Sequence, residues 1–365
     1  MKCCHCGKDS RAPDRADGKC KSCGKAFAFD PQKGDPVTDL LFKNAIEAIS
    51  GGGRIKWGVE HLYYEVARRM QRSGKLWPLL IFPIVLGGIG LYWIGKAGQK
   101  NAGAVPAIGW VLLGVAVASL VPILRKWFWR KPLITLAQAR FDLLWNRWCS
   151  INGAPAGVIT RQPQLLASAV TEADIGDYSF DRAVICDRAR TVDLLLANNF
   201  HFENNCAVLS IDGYPQGPFQ IVKKMLMRNP KLQVYAIHDA TPKGCAAAHR
   251  LAFDKDWFAG KIKVVDLGLR PRHAKPFRGL LHPADTRVLS AGEGIEPGEV
   301  DWLRTYRLEI AAARPEQVLK RLFRGIQAHA NDDFSSGGTT TCSAFDSTPG
   351  SSDDPADGLD GDSFG

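Results

Sequence analysis

Residues 331–365 contain no lysine or arginine and little apolar surface to bury. They carry eight aspartates among Ser, Gly and Pro, a composition that cannot offset the entropy lost on ordering, so we expect a disordered acidic tail. Since the whole chain has a net charge of +10, residues 1–330 carry +18. This basic remainder favours anionic partners such as nucleic acid, nucleotides or acidic lipid.

The cysteines lack the spacing of a disulfide framework. Half of the ten lie in the first 23 residues, and the other five are scattered singly. This distribution argues against a small disulfide-stapled secreted domain and favours a reducing compartment. The chain opens with Met-Lys-Cys-Cys-His-Cys and has no apolar h-region there, so we expect no signal peptide.

Two Cys-x-x-Cys pairs stand near the N-terminus, and a glycine follows each. Two such knuckles can present four thiolates to one tetrahedral Zn²⁺, so residues 1–30 resemble a zinc ribbon with a structural ion. Cys4 and His5 lie inside the first knuckle and could also serve as ligands, although adjacent residues rarely reach the same ion. The predicted zinc ligands are Cys3, Cys6, Cys20 and Cys23.

Two long runs, residues 76–95 and 102–124, contain no charged residue. Each approaches the ~20 residues that a helix needs to cross a bilayer. Basic residues are concentrated before the first run, in a predicted basic helical segment at 37–75, and after the second. The positive-inside bias therefore predicts a transmembrane hairpin in the cell (inner) membrane with both termini cytoplasmic. The alternative is a buried helical hairpin in a soluble core.

Strand-like and helix-like segments alternate within residues 133–330, which predicts a Rossmann-like parallel sheet covered by helices on both faces. Residues 297–329 predict two amphipathic helices broken at Pro315. The fold class is therefore α/β, with a zinc ribbon and a two-helix transmembrane hairpin ahead of it. The candidate strands are 183–187, 206–212, 232–239 and 262–268.

Each candidate strand has an aspartate at or just before its end. Because ligands of parallel α/β sheets bind at the carboxyl ends of the strands, these carboxylates could together hold Mg²⁺. For any single one, capping of the next helix is the alternative. Arg188, Lys243 and Gly244 stand near these ends and are candidate phosphate-binding residues. The aspartates are Asp187, Asp212, Asp239 and Asp266.

The order of "VICDRAR", "SIDGYP" and "IHDATPKG" within residues 184–251 resembles the Toprim domain of type IIB topoisomerase A subunits and their meiotic relatives. The resemblance implies that Asp187 and Asp239 occupy acidic positions of the catalytic, magnesium-binding set. Two departures matter. Asp187 stands where the family has Glu, and Thr241 stands where it has a second Asp, so the acidic set is eroded.

The segment "EHLYYE" (residues 60–65) resembles the family's segment that carries a nucleophilic tyrosine. The resemblance implies Tyr63 or Tyr64 as a candidate nucleophile for a phosphotyrosyl bond. The alternative is a pair of aromatic anchors at a membrane interface.

These patterns favour a membrane-tethered binding or regulatory module for nucleic acid or a phosphorylated ligand. One alternative is a Mg²⁺-dependent nuclease or phosphoryl-transfer enzyme using Asp187 and Asp239. The other is a protein-interaction scaffold whose partners the sequence does not name.

Overall fold

The computed structural model describes residues 1–11, 13–15, 17–72, 77–97, 105–128, 132–160, 181–216, 219–229, 231–284 and 291–335. The chain forms two compact units, one of Met1–Ala67 with Leu133–Gly365 and one of Arg68–Pro132. The predicted disordered tail lies outside the described residues from 336 onward.

A buried aspartate joins the cysteine module to the first helix, α1 (Asp39–Ile49). The Asp39 carboxylate accepts hydrogen bonds from the backbone N–H groups of Ala28 at 3.0 Å and Phe29 at 2.7 Å. The Phe29 ring then packs on Phe42 of α1, with ring centroids 5.1 Å apart. The end of the module is thereby fixed to the first turn of α1. Helix α2 (Val59–Arg72) follows.

The second unit contains helices α3 (Trp77–Ala97) and α4 (Val105–Phe128). They pack closely where Gly90 meets Gly109, since a Cβ built on Gly109 would lie 3.0 Å from the Gly90 carbonyl oxygen.

Within the part of the chain that the structure describes, no helix is both long and apolar enough to cross a membrane. The predicted transmembrane hairpin is therefore wrong. The prediction of an inner-membrane protein with cytoplasmic termini fails with it.

The first unit resumes with α5 (Gln138–Asn152) and then builds a four-stranded sheet. All neighbouring strands are parallel, in the order β2-β1-β3-β4, and the central strands are almost fully buried, as expected for a sheet covered on both faces. This confirms the predicted parallel α/β fold. The strands are β1 (Arg182–Cys186), β2 (Cys206–Ser210), β3 (Gln233–Ile237) and β4 (Val264–Asp266).

Short helices connect the strands, as the apolar periodicity predicted. The helical segment between β3 and β4 is divided in two at Ala246, which ends the first helix and precedes the second. In chain order the helices are α6 (Ala189–Ala197), α7 (Phe200–Glu203), α8 (Phe219–Arg228), α9 (Pro242–Cys245) and α10 (Ala247–Phe253).

Residues beyond β4 return to the end of β3. Ala240 and Leu308 form an antiparallel bridge, in which the Ala240 N–H donates to the Leu308 carbonyl at 2.8 Å and the reverse bond measures 3.1 Å. Pro315 begins the last helix, where a proline fits without losing a hydrogen bond. The elements here are β5 (His282–Pro283), α11 (Val300–Thr305), β6 (Tyr306–Arg307) and α12 (Pro315–Ser335).

Replacement of Asp39 by alanine should lower the free energy of unfolding by about 3 kcal/mol, because two buried N–H groups would lose a charged acceptor. Chemical denaturation monitored by circular dichroism measures the change. The surface variant Asp301→Ala, whose side chain is 95% exposed, is the control and should change stability by less than about 0.5 kcal/mol. Equal effects of the two substitutions would contradict the anchoring role of Asp39.

Candidate functional site

The four cysteines of the N-terminal knuckles converge. Their sulfur atoms all lie within 4.8 Å of one another, with Cys3 and Cys23 at 3.8 Å and Cys6 and Cys20 at 3.7 Å. Four sulfurs held by Zn–S bonds of about 2.3 Å at tetrahedral angles are roughly 3.8 Å apart, so the spacing fits one tetrahedral ion. This cluster is a candidate metal-binding site.

Matching turns create this geometry. In each knuckle the glycine N–H donates to the carbonyl of the first cysteine, Gly7 to Cys3 at 3.0 Å and Gly24 to Cys20 at 2.7 Å. Both glycines have a positive φ, 71° and 70°, which a side chain would strain.

The other two candidate ligands point elsewhere. The Cys4 thiol is buried and lies 4.0 Å from a carboxylate oxygen of Asp39, and burial raises its pKa to about 11. The His5 ring contacts Asn152 through Nε2 at 3.1 Å. The structure therefore brings together only the four predicted thiols from this part of the chain.

Cys6→Ser should remove or strongly weaken the bound metal, because it replaces one of four thiolates. Cys4→Ala is the matched control from the same knuckle and should retain one metal ion per chain. Elemental analysis of the purified full-length variants measures the stoichiometry. Equal metal content in the two variants would rule out the four-thiolate site.

The register of the sheet brings Asp187 and Asp239 together. Cys186 ends β1 opposite Ile237 at the end of β3, so the two aspartates follow at the same edge. The Asp239 N–H donates to Oδ2 of Asp187 at 2.9 Å. Both side chains are buried, and burial raises the pKa of each, with the neighbouring Asp187 adding to the effect at Asp239.

Two groups already engage the carboxylate of Asp239. Oδ1 accepts the N–H of Ile310 at 2.7 Å, and Oδ2 forms an ion pair with Nε of Arg188 at 2.5 Å. The ion pair lacks the alignment of a hydrogen bond. A second carboxylate, Glu309, lies 3.7 Å from the same guanidinium. Arg188 therefore compensates the buried charge at this edge.

This arrangement does not fit a Mg²⁺ ion bound by the aspartate pair. Among the described residues, Oδ1 of Asp187 is the one carboxylate oxygen of the pair that has neither a hydrogen bond nor an ion pair. Magnesium requires six oxygen ligands in near-octahedral geometry, and the Arg188 guanidinium already pairs with Oδ2 of Asp239.

Thr241 caps helix α9. Its hydroxyl accepts the N–H of Gly244 at 3.0 Å. Gly244 itself fits because it has no side chain, since a Cβ there would lie 2.2 Å from the Asp239 carbonyl oxygen. The Gly244 amide is thus engaged within the turn.

The remaining strand-end acids are kept apart from the aspartate pair. Asp212 is exposed and pairs with Lys243, whose Nζ lies 3.0 Å from Oδ1. Asp266 accepts from Nε2 of His238 at 2.8 Å and pairs with Arg270 at 2.6 Å. The four predicted acids therefore form three separate environments.

His238 is fully buried between two acceptors, the carboxylate of Asp266 and its neighbour's backbone carbonyl, which lies 2.8 Å from Nδ1. Both ring nitrogens can donate only when the imidazole is charged. Burial opposes that charge, but the Asp266 carboxylate outweighs it and raises the pKa of His238. Burial alone would raise the pKa of Asp266. The opposite charges of His238 and Arg270 outweigh burial and lower that pKa.

We expect Asp266→Asn to lower the pKa of His238, since burial would then be opposed only by the smaller effects of the Asp239 carbonyl and the Asp187 carboxylate. Histidine ¹⁵N NMR across a pH series measures it, with surface Asp256→Asn as the control.

The pair's contribution to stability should be complete between the unfolded pKa values of Asp and His. It should be lost as the pH rises through the raised pKa of His238, or falls through the lowered pKa of Asp266. An unchanged His238 titration in Asp266→Asn would contradict the pairing.

The hydroxyls of both tyrosines of α2 are engaged in hydrogen bonds and neither has a lowered pKa, although an imidazole lies beside Tyr64. The Tyr63 hydroxyl donates to the Leu136 carbonyl at 2.8 Å, and burial raises its pKa to about 12. The Tyr64 hydroxyl lies 2.9 Å from Nε2 of His282, and burial also raises its pKa. A nucleophilic hydroxyl needs the opposite shift or an adjacent base.

Sequence reasoning missed the residues that reach this edge from distant segments. Glu309 and Ile310 arrive through the bridge between Ala240 and Leu308, and Glu60 and His61 arrive from the start of α2. An isolated bridge has no periodic pattern, so nothing in the sequence signalled the first pair. His61 lies beside the tyrosines in "EHLYYE", which was the one available signal for the second.

Comparison of the chain with known protein families, curated proteins and solved structures finds no match.

Proposed function

We propose that the chain binds phosphate groups, those of nucleic acid first, at the sheet edge around Asp187 and Asp239. It would act there as a binding or regulatory module and not as a nuclease. As part of this proposal, the α/β domain would be a degenerate version of the Toprim domain that it resembles. The observation that carries the proposal is the Arg188–Asp239 ion pair, in which a guanidinium already neutralises a carboxylate that a metal ion would need.

Three further features support this proposal. Arg188 is 35% exposed, so its guanidinium is accessible to a ligand as well as to Asp239. Residues 1–330 carry a charge of +18, which favours polyanions. The cysteine cluster has the spacing and donor set of a structural Zn²⁺ site, in which the four thiolates would hold the ion and stabilise the module.

A Mg²⁺-dependent nuclease or phosphotransferase is the competing function. The buried Oδ1 of Asp187 favours it, because among the described residues that atom has no hydrogen-bond partner. The competing function requires Arg188 to leave Asp239 before a metal could bind.

Asp239→Asn in the full-length protein separates the two functions. If the protein is a binding module, neutralising Asp239 releases Arg188, so the affinity for a fluorescein-labelled oligonucleotide should hold or increase. Arg188→Ala should reduce that affinity about tenfold, since a charge-assisted contact is lost. Fluorescence anisotropy at several salt concentrations measures both, and log K should fall linearly with log salt.

The same oligonucleotide incubated with Mg²⁺ or Mn²⁺ supplies the opposing outcome. Cleavage by the wild-type protein that Asp239→Asn abolishes would replace the binding function by the nuclease. Absence of any salt-dependent affinity would remove nucleic acid as the ligand and favour a protein-interaction scaffold.

A further inference from the structure

His61 has a buried donor that lacks an acceptor among the described residues. The Gly58 N–H donates to Nδ1 of His61 at 3.3 Å, which leaves the ring proton on Nε2. Burial lowers the pKa of His61, so the ring is neutral at neutral pH and keeps that one donor. Nε2 has no hydrogen-bond partner, although His61 is only 4% exposed. A buried donor of this kind indicates a missing acceptor.

The missing acceptor has a place to bind. His61 lines a cavity of ≈ 20 Å³ together with Thr191 and the Arg188–Asp239 pair, a volume that holds about one water-sized group. Arg190 lines this cavity and also an adjoining one of ≈ 210 Å³. One oxygen of a larger group can therefore enter beside His61 while the rest of the group occupies the wider space.

The other donors at this place favour an anion. Helix α6 begins at Ala189, and the side chain of the residue before it makes no capping hydrogen bond. The first amides of a helix carry its partial positive charge, and here those of Ala189 and Arg190 are the ones available, since the Thr191 N–H already donates to the Arg188 carbonyl at 3.1 Å. Arg190 on the first turn is exposed, and within the described part of the chain no hydrogen bond or ion pair engages its guanidinium.

Acidic groups also border the cavities, and most of them are compensated. Arg188 pairs with both Asp239 and Glu309. Glu60 lines both cavities and has no such partner among the described residues. Its carboxylate lies over Gly58, where a Cβ would meet an oxygen of Glu60 at 2.4 Å. Asp193 also lines the wider cavity, where its Oδ1 accepts the Tyr214 hydroxyl at 2.5 Å. Glu60 and Asp193 are therefore the charges that oppose an anion here.

From these contacts we infer a second ligand site, in which His61, Arg190 and the first amides of α6 bind one phosphate group. His61 donates from Nε2 to a phosphate oxygen, and the Arg190 guanidinium covers the outer oxygens. The inference rests on the proposed function and specifies a second phosphate contact beside Arg188. The site recognises the phosphate group itself, which can belong to a polynucleotide or to a small phosphorylated molecule.

Calorimetric titration of the full-length protein with sodium pyrophosphate, at fixed ionic strength, tests the site. Arg190→Ala should weaken binding about tenfold, and the exposed Arg250→Ala is the matched control that should not. Glu60→Gln should strengthen binding, because it removes one of the opposing charges. Histidine ¹⁵N NMR should show a saturable shift of the His61 Nε2 signal during the same titration.

His61→Phe removes the donor and should weaken binding as Arg190→Ala does. If this buried substitution prevents folding, the effect of Arg190→Ala and the His61 signal of the wild-type protein still test whether the site exists. Pyrophosphate binding that neither Arg190→Ala nor Glu60→Gln changes would overturn the site, as would an unmoved His61 signal at saturation.

The oligonucleotide-binding experiment separates this inference from the proposed function. If an oligonucleotide binds with normal salt dependence and Arg190→Ala has no effect on it or on pyrophosphate, the second site falls while the function stands. If pyrophosphate binds through Arg190 and oligonucleotides do not bind, the site stands and the ligand is a small phosphorylated molecule.

Discussion

The ion pair between Arg188 and Asp239 determines what the sheet edge can do. A carboxylate that is 1% exposed beside a second buried carboxylate is costly to ionise unless a cation accompanies it. In this chain the cation is covalently part of the protein, two residues beyond the first strand. Oδ1 of Asp187 therefore has no partner among the described residues, and the Arg188 guanidinium contacts both Asp239 and solvent.

Much of the sheet could be predicted because its strands are continuous apolar runs separated by helical periodicity. Parallel pairing then required Asp187 and Asp239 to emerge at one edge, and they do. What could not be predicted is that a distant segment contacts Asp239 at that edge. Ile310 reaches Asp239 across 71 positions of sequence through a single bridged residue pair, which leaves no repeating pattern.

The zinc-ribbon spacing was informative because its residues are close in sequence, unlike Ile310 and Asp239. Four thiols in two short turns are constrained locally, so spacing alone predicts their convergence, and the sulfur distances agree with it. The membrane prediction depended on composition and flanking charge over two runs. Those runs do form helices, but the described parts do not reach the length and apolarity of a span. Local patterns were reliable for short-range geometry and unreliable for the environment of a helix.

The backbone bridge between Ala240 and Leu308 has a consequence for how this protein can be divided. A fragment designed on strand–helix alternation alone would end soon after the fourth strand, near residue 270. It would contain both aspartates and Arg188 but would lack the amide of Ile310 that holds Oδ1 of Asp239. Such a fragment would leave the backbone of Ala240 without its bridge partner, although β3 itself would stay paired with β1 and β4. The smallest portion that keeps the site intact must extend past residue 310 and include the start of α2.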